Sequence, residues 1–324
     1  MSASVAVTGG APTAPMLPAP RDGVLRRLSD FLLRNPRIFL LILLGPPFLW
    51  LGVVYVGSLV ALLAQSFFSI DEFTGLINRH FTLKTYGELL HPANVDIIVR
   101  TVLMAAAVTI TCAAIAFPIA YYAARYARGR VKALFYIAVT LPLWSSYLVR
   151  VYSWKLILAK EGIVTWFVER LGLAPVLDLI LSTPVIGGPS LSISFIGTFL
   201  VFVYLWLPYM ILPVQAALER VPKSLVEASA DLGAHPGQTF RSIIMPLALP
   251  GIVAGSIFTF ALTLGDYIAP TIIGNSSLFL GMAVYTHQGT AGNIPLAAAF
   301  TVVPIVIMGI YLWVAKRMGA FDAL

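Results

Sequence analysis

Six long apolar segments constrain what this chain can fold into more than any other feature of its sequence. A helix that crosses the hydrocarbon core of a bilayer needs about 20 mostly apolar residues. None of the six segments carries an acidic side chain in its middle, where such a charge would cost about 2.5–3.5 kcal/mol. The predicted spans are residues 38–67, 101–123, 131–151, 192–214, 243–264 and 296–315. The sequence therefore predicts an all-α, polytopic membrane bundle of about six helices.

The composition of the chain excludes an ordinary soluble globular domain. Of its 324 residues, 59% are hydrophobic and 11% are charged, whereas soluble domains carry about 25% charged residues. A net charge of +7 suggests nucleic acid in a soluble protein. Here the basic residues are expected to anchor the ends of spans, and no nucleic-acid partner is expected. Cys112 is the single cysteine, which excludes a disulfide within the chain and a cysteine-based metal site.

The distribution of lysine and arginine predicts the orientation of the spans. Fourteen of the 21 basic residues precede the first span, follow the sixth, or lie in the two connections on the same side as both ends. Cytoplasmic loops are enriched in these residues, so both termini are expected in the cytoplasm. Residues 1–34 are expected to be a cytoplasmic, largely disordered segment, because their first part is rich in Ala, Pro, Gly and Ser. Residues 35–324 are expected to form the membrane domain.

The segment of residues 217–250, between the fourth and fifth spans, is polar and is called the coupling segment below. Ser224 stands three residues before Glu227, which predicts a capping box at the start of a short helix over residues 224–232. Asp231 lies late in this helix, where the helix dipole disfavours it. Gly233 follows at the usual stop position, and a second helix is expected to start near Gln238. Such a structured polar element in a membrane protein indicates contact with a soluble partner.

The coupling segment carries a recognisable pattern. Glu227-Ala228-Ser229, followed after three residues by Gly233 and after nine more by Ile-Ile-Met-Pro, resembles the EAA loop of ATP-binding cassette (ABC) importer permeases. Ser229 replaces an alanine of the family pattern, and Met245 replaces a leucine. The resemblance implies an ABC transporter transmembrane domain with the fold of a type I importer subunit.

The same resemblance assigns roles within the coupling segment. The short helix is expected to be the coupling helix, which docks in a groove on the ATPase subunit. Glu227 is expected to be its polar anchor, while Ala228 and Ser229 allow close approach and Gly233 permits the turn. The coupling residues implied in this way are Ser224, Glu227, Ala228, Ser229, Asp231 and Gly233.

The sequence contains no phosphate-binding loop of the form Gly-x-x-x-x-Gly-Lys-Ser/Thr. We therefore expect ATP and Mg²⁺ on a separate ATPase subunit, and no catalytic residue, cofactor or metal site in this chain. The family resemblance implies ATPase subunits, a second permease subunit that is a related chain in a heterodimer, and a periplasmic binding protein as partners. It also implies contact with membrane lipid and a location in the bacterial inner membrane.

A second resemblance concerns the solute. Residues 264–270, with Asp266, Tyr267 and Pro270, are similar to a segment after the fifth span in permeases of the spermidine/putrescine group. A polyamine favours carboxylates and aromatic faces along its path. Arg100 and Arg150, near the outer ends of spans, argue against a polycation and suit an anion. The predicted pathway residues are Asp266, Tyr267, Trp144, Tyr147, Tyr204, Trp206 and Tyr209.

Several alternatives remain open at this point. One is the same importer class with another small solute, such as an amino acid derivative, an opine, a sugar or a phosphonate. An ion-driven secondary carrier usually has ionisable groups within its spans, which these spans nearly lack. An integral membrane enzyme needs a clustered catalytic site, which the sequence does not indicate. Residues 162–171 predict a short amphipathic helix that caps the bundle or contacts a soluble partner.

Overall fold

The computed structural model describes Gly23 and residues 31–71, 73–275 and 277–317. Most of the predicted disordered segment 1–34 and the tail 318–324 lie outside the described residues. Residues 31–34, at the end of that predicted segment, are helical. The chain divides into two units, Met1–Val60 and Ala61–Leu324.

The first unit contains most of α1, the apolar helix Pro36–Gln65. Pro46 and Pro47 lie inside this helix and remove two consecutive backbone donors. Shortly after them the helix widens into a π-helical stretch, Trp50–Val56, which is a common response to an interrupted hydrogen-bond ladder. No residue of α1 up to position 56 is buried.

The second unit begins with the end of α1 and a short antiparallel hairpin. In this hairpin β1 (Ser69–Ile70) pairs with β2 (Ile77–Asn78) in the register Ser69↔Asn78 and Ile70↔Ile77. The helices that follow are α2 (Lys84–Leu89), α3 (Pro92–Arg125), α4 (Gly129–Trp144), α5 (Tyr147–Ile157), α6 (Ile163–Arg170), α7 (Ala174–Ser182), a 3-10 turn (Leu191–Ile193), α8 (Phe195–Arg220), α9 (Lys223–Asp231), α10 (Pro236–Gly265), α11 (Ile268–Ile272), α12 (Leu280–Gln288) and α13 (Ile294–Arg317).

The predicted all-α membrane bundle is confirmed. Within the described residues, α1, α3, α8, α10 and α13 are each long and apolar enough to cross a membrane, and α4 with α5 passes the same test as a bent pair. The predicted amphipathic helix over residues 162–171 is confirmed as α6, which begins after Gly162 and ends at Arg170.

The prediction of one continuous span over residues 131–151 is wrong. The chain bends by 97° between α4 and α5. Ser145 and Ser146 adopt extended backbone angles at the break, and the Ser145 hydroxyl donates to the Pro142 carbonyl at 2.7 Å. Apolar composition alone does not detect this bend, because it arises from a local competition between serine side chains and the helix backbone.

The core of the second unit forms where α8 packs against α3 and α10. Phe202, Leu205 and Met210 of α8 are fully buried there. The backbones of α8 and α10 approach so closely that a Cβ atom at Gly251 would lie 2.5 Å from the Pro213 carbonyl oxygen. This tight pairing fixes α10 in position, and α10 connects the two candidate sites described next.

Candidate functional site

The first candidate site is α9, in the coupling segment. α9 begins at Lys223, one residue before the predicted start of about Ser224, with Pro222 before it, and no side chain caps it. Ser224 is exposed in the first turn, so the predicted capping box with Glu227 does not form. The fixed φ of Pro222 suits the residue before a helix, so α9 begins one residue earlier than expected, at Lys223. A capping interaction occurs instead at α10, where Gln238 Oε1 accepts from the His235 N–H at 2.9 Å.

The predicted end of α9 is confirmed. Gly233 has a φ of +77°, the left-handed conformation that glycine adopts without steric cost. Its N–H donates to the Ala230 carbonyl at 2.9 Å, and the Ala234 N–H donates to the Ser229 carbonyl at 3.1 Å. This pair of bonds is a Schellman motif. It turns the chain sharply from α9 into α10.

One face of α9 packs against its own chain. Ser229 is buried, and its hydroxyl lies 2.9 Å from the hydroxyl of Thr239 in the first turn of α10. Val226, one turn earlier, packs against the core. Ser229 was expected to allow close approach to the ATPase, whereas its side chain holds two helices of its own chain together.

The opposite face of α9 is open. Glu227, Ala228 and Asp231 are exposed, and Leu225 and Leu232 are 44% and 88% exposed. Neither leucine was among the predicted coupling residues, although their spacing of seven residues in a charged segment is typical of one helix face. The exposed face therefore combines carboxylates, one small residue and two large apolar side chains.

The second candidate site surrounds Asp266, at the far end of α10. The Tyr147 hydroxyl donates a hydrogen bond to Asp266 Oδ2. The backbone N–H groups of Ile268 and Ala269 donate to Oδ1 at 2.8 Å and 3.2 Å. Burial raises the pKa of the Asp266 carboxyl, and these three donors oppose the rise. The Asp266 carboxylate thus accepts hydrogen bonds from backbone N–H groups at the start of α11 and from the side chain of the first residue of α5.

Aromatic side chains extend this site into the bundle. The ring of Tyr147 stacks on Trp206, with centroids 6.1 Å apart, and Tyr209 meets Trp206 edge-on at 5.9 Å. The Arg150 guanidinium lies 5.7 Å from the centre of the Tyr147 ring. Among the described residues, the Trp206 indole N–H and two guanidinium nitrogens of Arg150 are buried without a hydrogen-bond partner. We call Asp266, Tyr147, Trp206, Tyr209 and Arg150 the Asp266 cluster.

The other predicted pathway residues lie outside this cluster. Tyr204 packs against Trp154 with ring centroids 5.0 Å apart, and Tyr267 stacks on Tyr285 at 5.1 Å. Trp144 ends α4 and is 82% exposed. The structure therefore brings together four of the seven predicted residues and adds Arg150. In the ranges that the structure describes, no group of three or more His, Cys, Asp or Glu side chains is placed to hold a metal ion.

The model of the family described as "Binding-protein-dependent transport system inner membrane component" matches residues 116–320, which contain α9 and the Asp266 cluster. The chain is 55% identical over 309 residues to the inner membrane ABC transporter permease protein YdcU of Escherichia coli (strain K12), covering 95% of this chain and 99% of that relative.

Two further similarities concern a curated relative and a solved structure. The spermidine/putrescine transport system permease protein PotB of Salmonella typhimurium (strain SL1344) is 29% identical over 273 residues, covering 83% of this chain and 91% of PotB. The fold matches a chain in the crystal structure of a bacterial alginate ABC transporter in complex with an alginate pentasaccharide-bound periplasmic protein. The TM-score is 0.68 at 14% identity, covering 92% of this chain and 98% of that chain. This likeness shows the fold alone, which is that of a type I ABC importer membrane subunit.

Proposed function

The chain belongs to the family of binding-protein-dependent transport system inner membrane components, and from this premise we propose how it couples to ATP and what it carries. It is a permease subunit of an ABC importer and an integral protein of the inner membrane. We propose that α9 docks on a separate ATPase subunit, which binds ATP and Mg²⁺. The proposed solute is a polyamine such as spermidine or putrescine, delivered by a periplasmic binding protein.

The exposed face of α9 supports the docking proposal. Leu225 on α9 and Leu232 directly after it expose large apolar side chains beside charged residues, and contiguous exposed apolar surface is typical of a protein-binding site. Glu227 is exposed on the same short helix and supplies a charged group for orientation. A groove lined with apolar side chains on the ATPase subunit, with a basic or hydrogen-bonding group beside it, complements this surface.

Two structural connections between α9 and α10 transmit a movement of α9 to the membrane-spanning part of α10. The Schellman motif at Gly233 sets the turn, and the Ser229–Thr239 contact holds α9 against the first turn of α10. From there α10 continues to Gly265, and the next residue is Asp266. A displacement of α9 by the closing ATPase therefore acts on the Asp266 cluster at the other end of the helix, about 45 Å away.

The Asp266 cluster carries the solute proposal. The carboxylate is bonded to Tyr147, whose ring stacks on Trp206, which in turn contacts Tyr209. Together they offer charge pairing and cation–π contact to an ammonium group. The similarity to PotB, whose name specifies spermidine and putrescine, supports the same class of solute. The related second permease subunit is proposed to complete the path.

Arg150 favours a second candidate solute. Its unpartnered guanidinium nitrogens lie beside the ring that binds Asp266, and they suit a carboxylate. A solute with both an amine and a carboxylate, such as an amino acid derivative, would use both charges of the cluster.

Reconstitution tests both proposals. The chain is placed in proteoliposomes with the ATPase, second permease and binding protein that are encoded alongside it, and uptake of labelled spermidine, putrescine and amino acids is measured with and without ATP. We expect ATP-dependent uptake of a polyamine. Uptake of an amino acid derivative alone would select the second candidate, and uptake that survives without ATP but collapses with the proton gradient would reject the importer mechanism.

A further inference from the structure

A cavity of about 510 Å³ lies in the connection between α5 and α8, apart from both sites described above. Small-molecule sites commonly have volumes of about 300–1,000 Å³. The walls come from the residues after α5, from α6 and α7, and from the segment that leads into the 3-10 turn before α8. The cavity is thus a concave site built by four consecutive parts of one connection.

The charges on the cavity wall are predominantly negative. Glu161, Glu169 and Asp178 line it, and Lys160 is the basic residue on its wall. Within the described part of the chain, none of these four side chains forms an ion pair or hydrogen bond. Arg170, which follows Glu169, does not line the cavity, and its guanidinium lies 5.9 Å from the centre of the Trp166 ring. Three carboxylates therefore remain available to a ligand.

The floor of the cavity is a fixed part of the fold. Ser190 lines it, is buried, and shares a 3.0 Å hydrogen bond with the Ser192 hydroxyl. The backbone of Ser192 donates to the Leu158 carbonyl at 3.0 Å and accepts from the Gly274 N–H at 3.0 Å. These bonds tie the floor to the end of α5 and to the segment after α11, the helix that follows Asp266. The cavity consequently lies at the same end of the bundle as the Asp266 cluster.

Resting on the polyamine class proposed above, we propose that this cavity is a capture site for an aliphatic polyamine, separate from the Asp266 cluster. Ammonium groups pair with Glu161, Glu169 and Asp178, and the methylene chain contacts Leu177 and Leu181, which also line the wall. A single exposed charge pair contributes little affinity, so several carboxylates acting on one polycation are needed for useful binding. The site does not require Asp266 to contact the solute.

The test uses the purified full-length chain in lipid nanodiscs, with spermidine as the probe and isothermal titration calorimetry as the readout. The variant Glu161→Gln/Glu169→Gln/Asp178→Asn removes the three charges without loss of volume, and all three side chains are exposed, so folding is expected to persist. We expect spermidine affinity to fall about tenfold or more. The matched control Asp96→Asn removes an exposed carboxylate outside the cavity, and its affinity is expected to equal that of the wild type.

A further variant makes the outcome decisive. Lys160→Gln removes the cation on the wall and is expected to tighten spermidine binding severalfold, a gain that a misfolded protein cannot give. Equal affinity of the triple variant and the wild type, or unchanged or weaker binding by Lys160→Gln, would each overturn the proposal. Either result would leave the proposed uptake of a polyamine standing, which the reconstitution measures separately.

Discussion

The hydroxyl of Tyr147 donates a hydrogen bond to Asp266 although 119 residues separate them in the chain. The bond joins the first residue of α5, directly after the bend, to the residue that follows α10. Two membrane elements that are distant in sequence are thereby held together at one point. A movement of either α5 or α10 must preserve this bond or break it.

Removal of the Tyr147 hydroxyl is expected to destabilise the protein. Tyr147→Phe keeps the stack on Trp206 but leaves the Asp266 carboxylate without one of its three donors. A buried acceptor that loses its partner costs about 1–3 kcal/mol. Thermal unfolding in detergent measures the loss. Tyr267→Phe is the matched control, since it keeps its stack on Tyr285; equal unfolding temperatures for the two variants would contradict this role for Tyr147.

Gly233→Ala is expected to weaken coupling. The φ of +77° is unfavourable for alanine, at a cost of about 1–2 kcal/mol. The strain should distort the turn between α9 and α10 and reduce solute-stimulated ATP hydrolysis by the assembled transporter. Gly237→Ala, four residues later, has open space around its Cβ position and no positive φ. Its hydrolysis rate should match the wild type, and a similar loss in both variants would count against a specific role of the turn.

The contact between Ser229 and Thr239 predicts non-additive effects of substitution. Ser229→Ala and Thr239→Val each break the same 2.9 Å hydroxyl pair, so the double variant should lose less than the sum of the single losses. A coupling energy of about 0.5–3 kcal/mol is typical for residues in direct contact. Unfolding measurements on the four proteins of the cycle give this energy, and simple additivity would show that the hydroxyls act independently.

Leu232→Ser is expected to weaken binding of the ATPase subunit without loss of stability. Leu232 is 88% exposed, so it contributes little to folding, whereas a side chain that anchors a docking interface contributes about 1 kcal/mol or more. The dissociation constant for the ATPase should rise about fivefold or more. Leu171→Ser, at a residue that is 71% exposed in the connection between α5 and α8, should leave it unchanged. A stable ATPase complex with Leu232→Ser would locate the docking surface elsewhere.

The stability of the protein is expected to fall at acid pH in part because of His287. Its ring stacks on Phe300, with centroids 5.6 Å apart, and its Nδ1 is buried without a hydrogen-bond partner in the described residues. Burial lowers the pKa of His287 below its ordinary value of 6.5, against an opposing effect of Glu88. The folded state resists protonation of the His287 ring. The stability that the neutral ring provides is therefore fully present above pH 6.5, and it is lost as the pH falls towards the lower pKa of the folded state.

His287→Phe keeps the ring stack and removes the titration. The unfolding temperature of this variant should therefore decline less between pH 7 and pH 5 than that of the wild type. His80→Phe, at an exposed histidine, is the control and should follow the wild-type curve. Identical pH profiles for His287→Phe and the wild type would exclude this group as a source of acid sensitivity.

The sequence predicted the helical membrane fold and the position of α9 well, because apolar run length and glycine conformation are local properties. It failed where local forces compete, as at Ser145, whose side-chain hydrogen bond to the Pro142 carbonyl lies at the end of a helix that composition would continue. The start of α9 was misplaced for a similar reason, since Pro222 overrides the capping preference of Ser224.

Contacts between residues that are distant in the chain could not be predicted from the sequence. Asp266, Tyr147 and Trp206 were individually predicted as pathway residues, but their mutual contacts depend on how α5, α8 and α10 pack. The cavity near Glu169 was likewise not predicted, because its walls meet through the fold of a forty-residue connection. A charge pattern in the sequence identifies candidate residues, whereas the tertiary structure determines which of them contact one another.

The 97° bend between α4 and α5 has a consequence for the surrounding lipid. The arm that precedes it, α4, has 16 residues and is about 24 Å long, shorter than the roughly 30 Å of bilayer hydrocarbon. The acyl chains next to this arm must therefore compress by about 6 Å, or headgroups and water must descend to the two serines at the corner. The importer should accordingly deform its own bilayer on this side and respond to acyl-chain length.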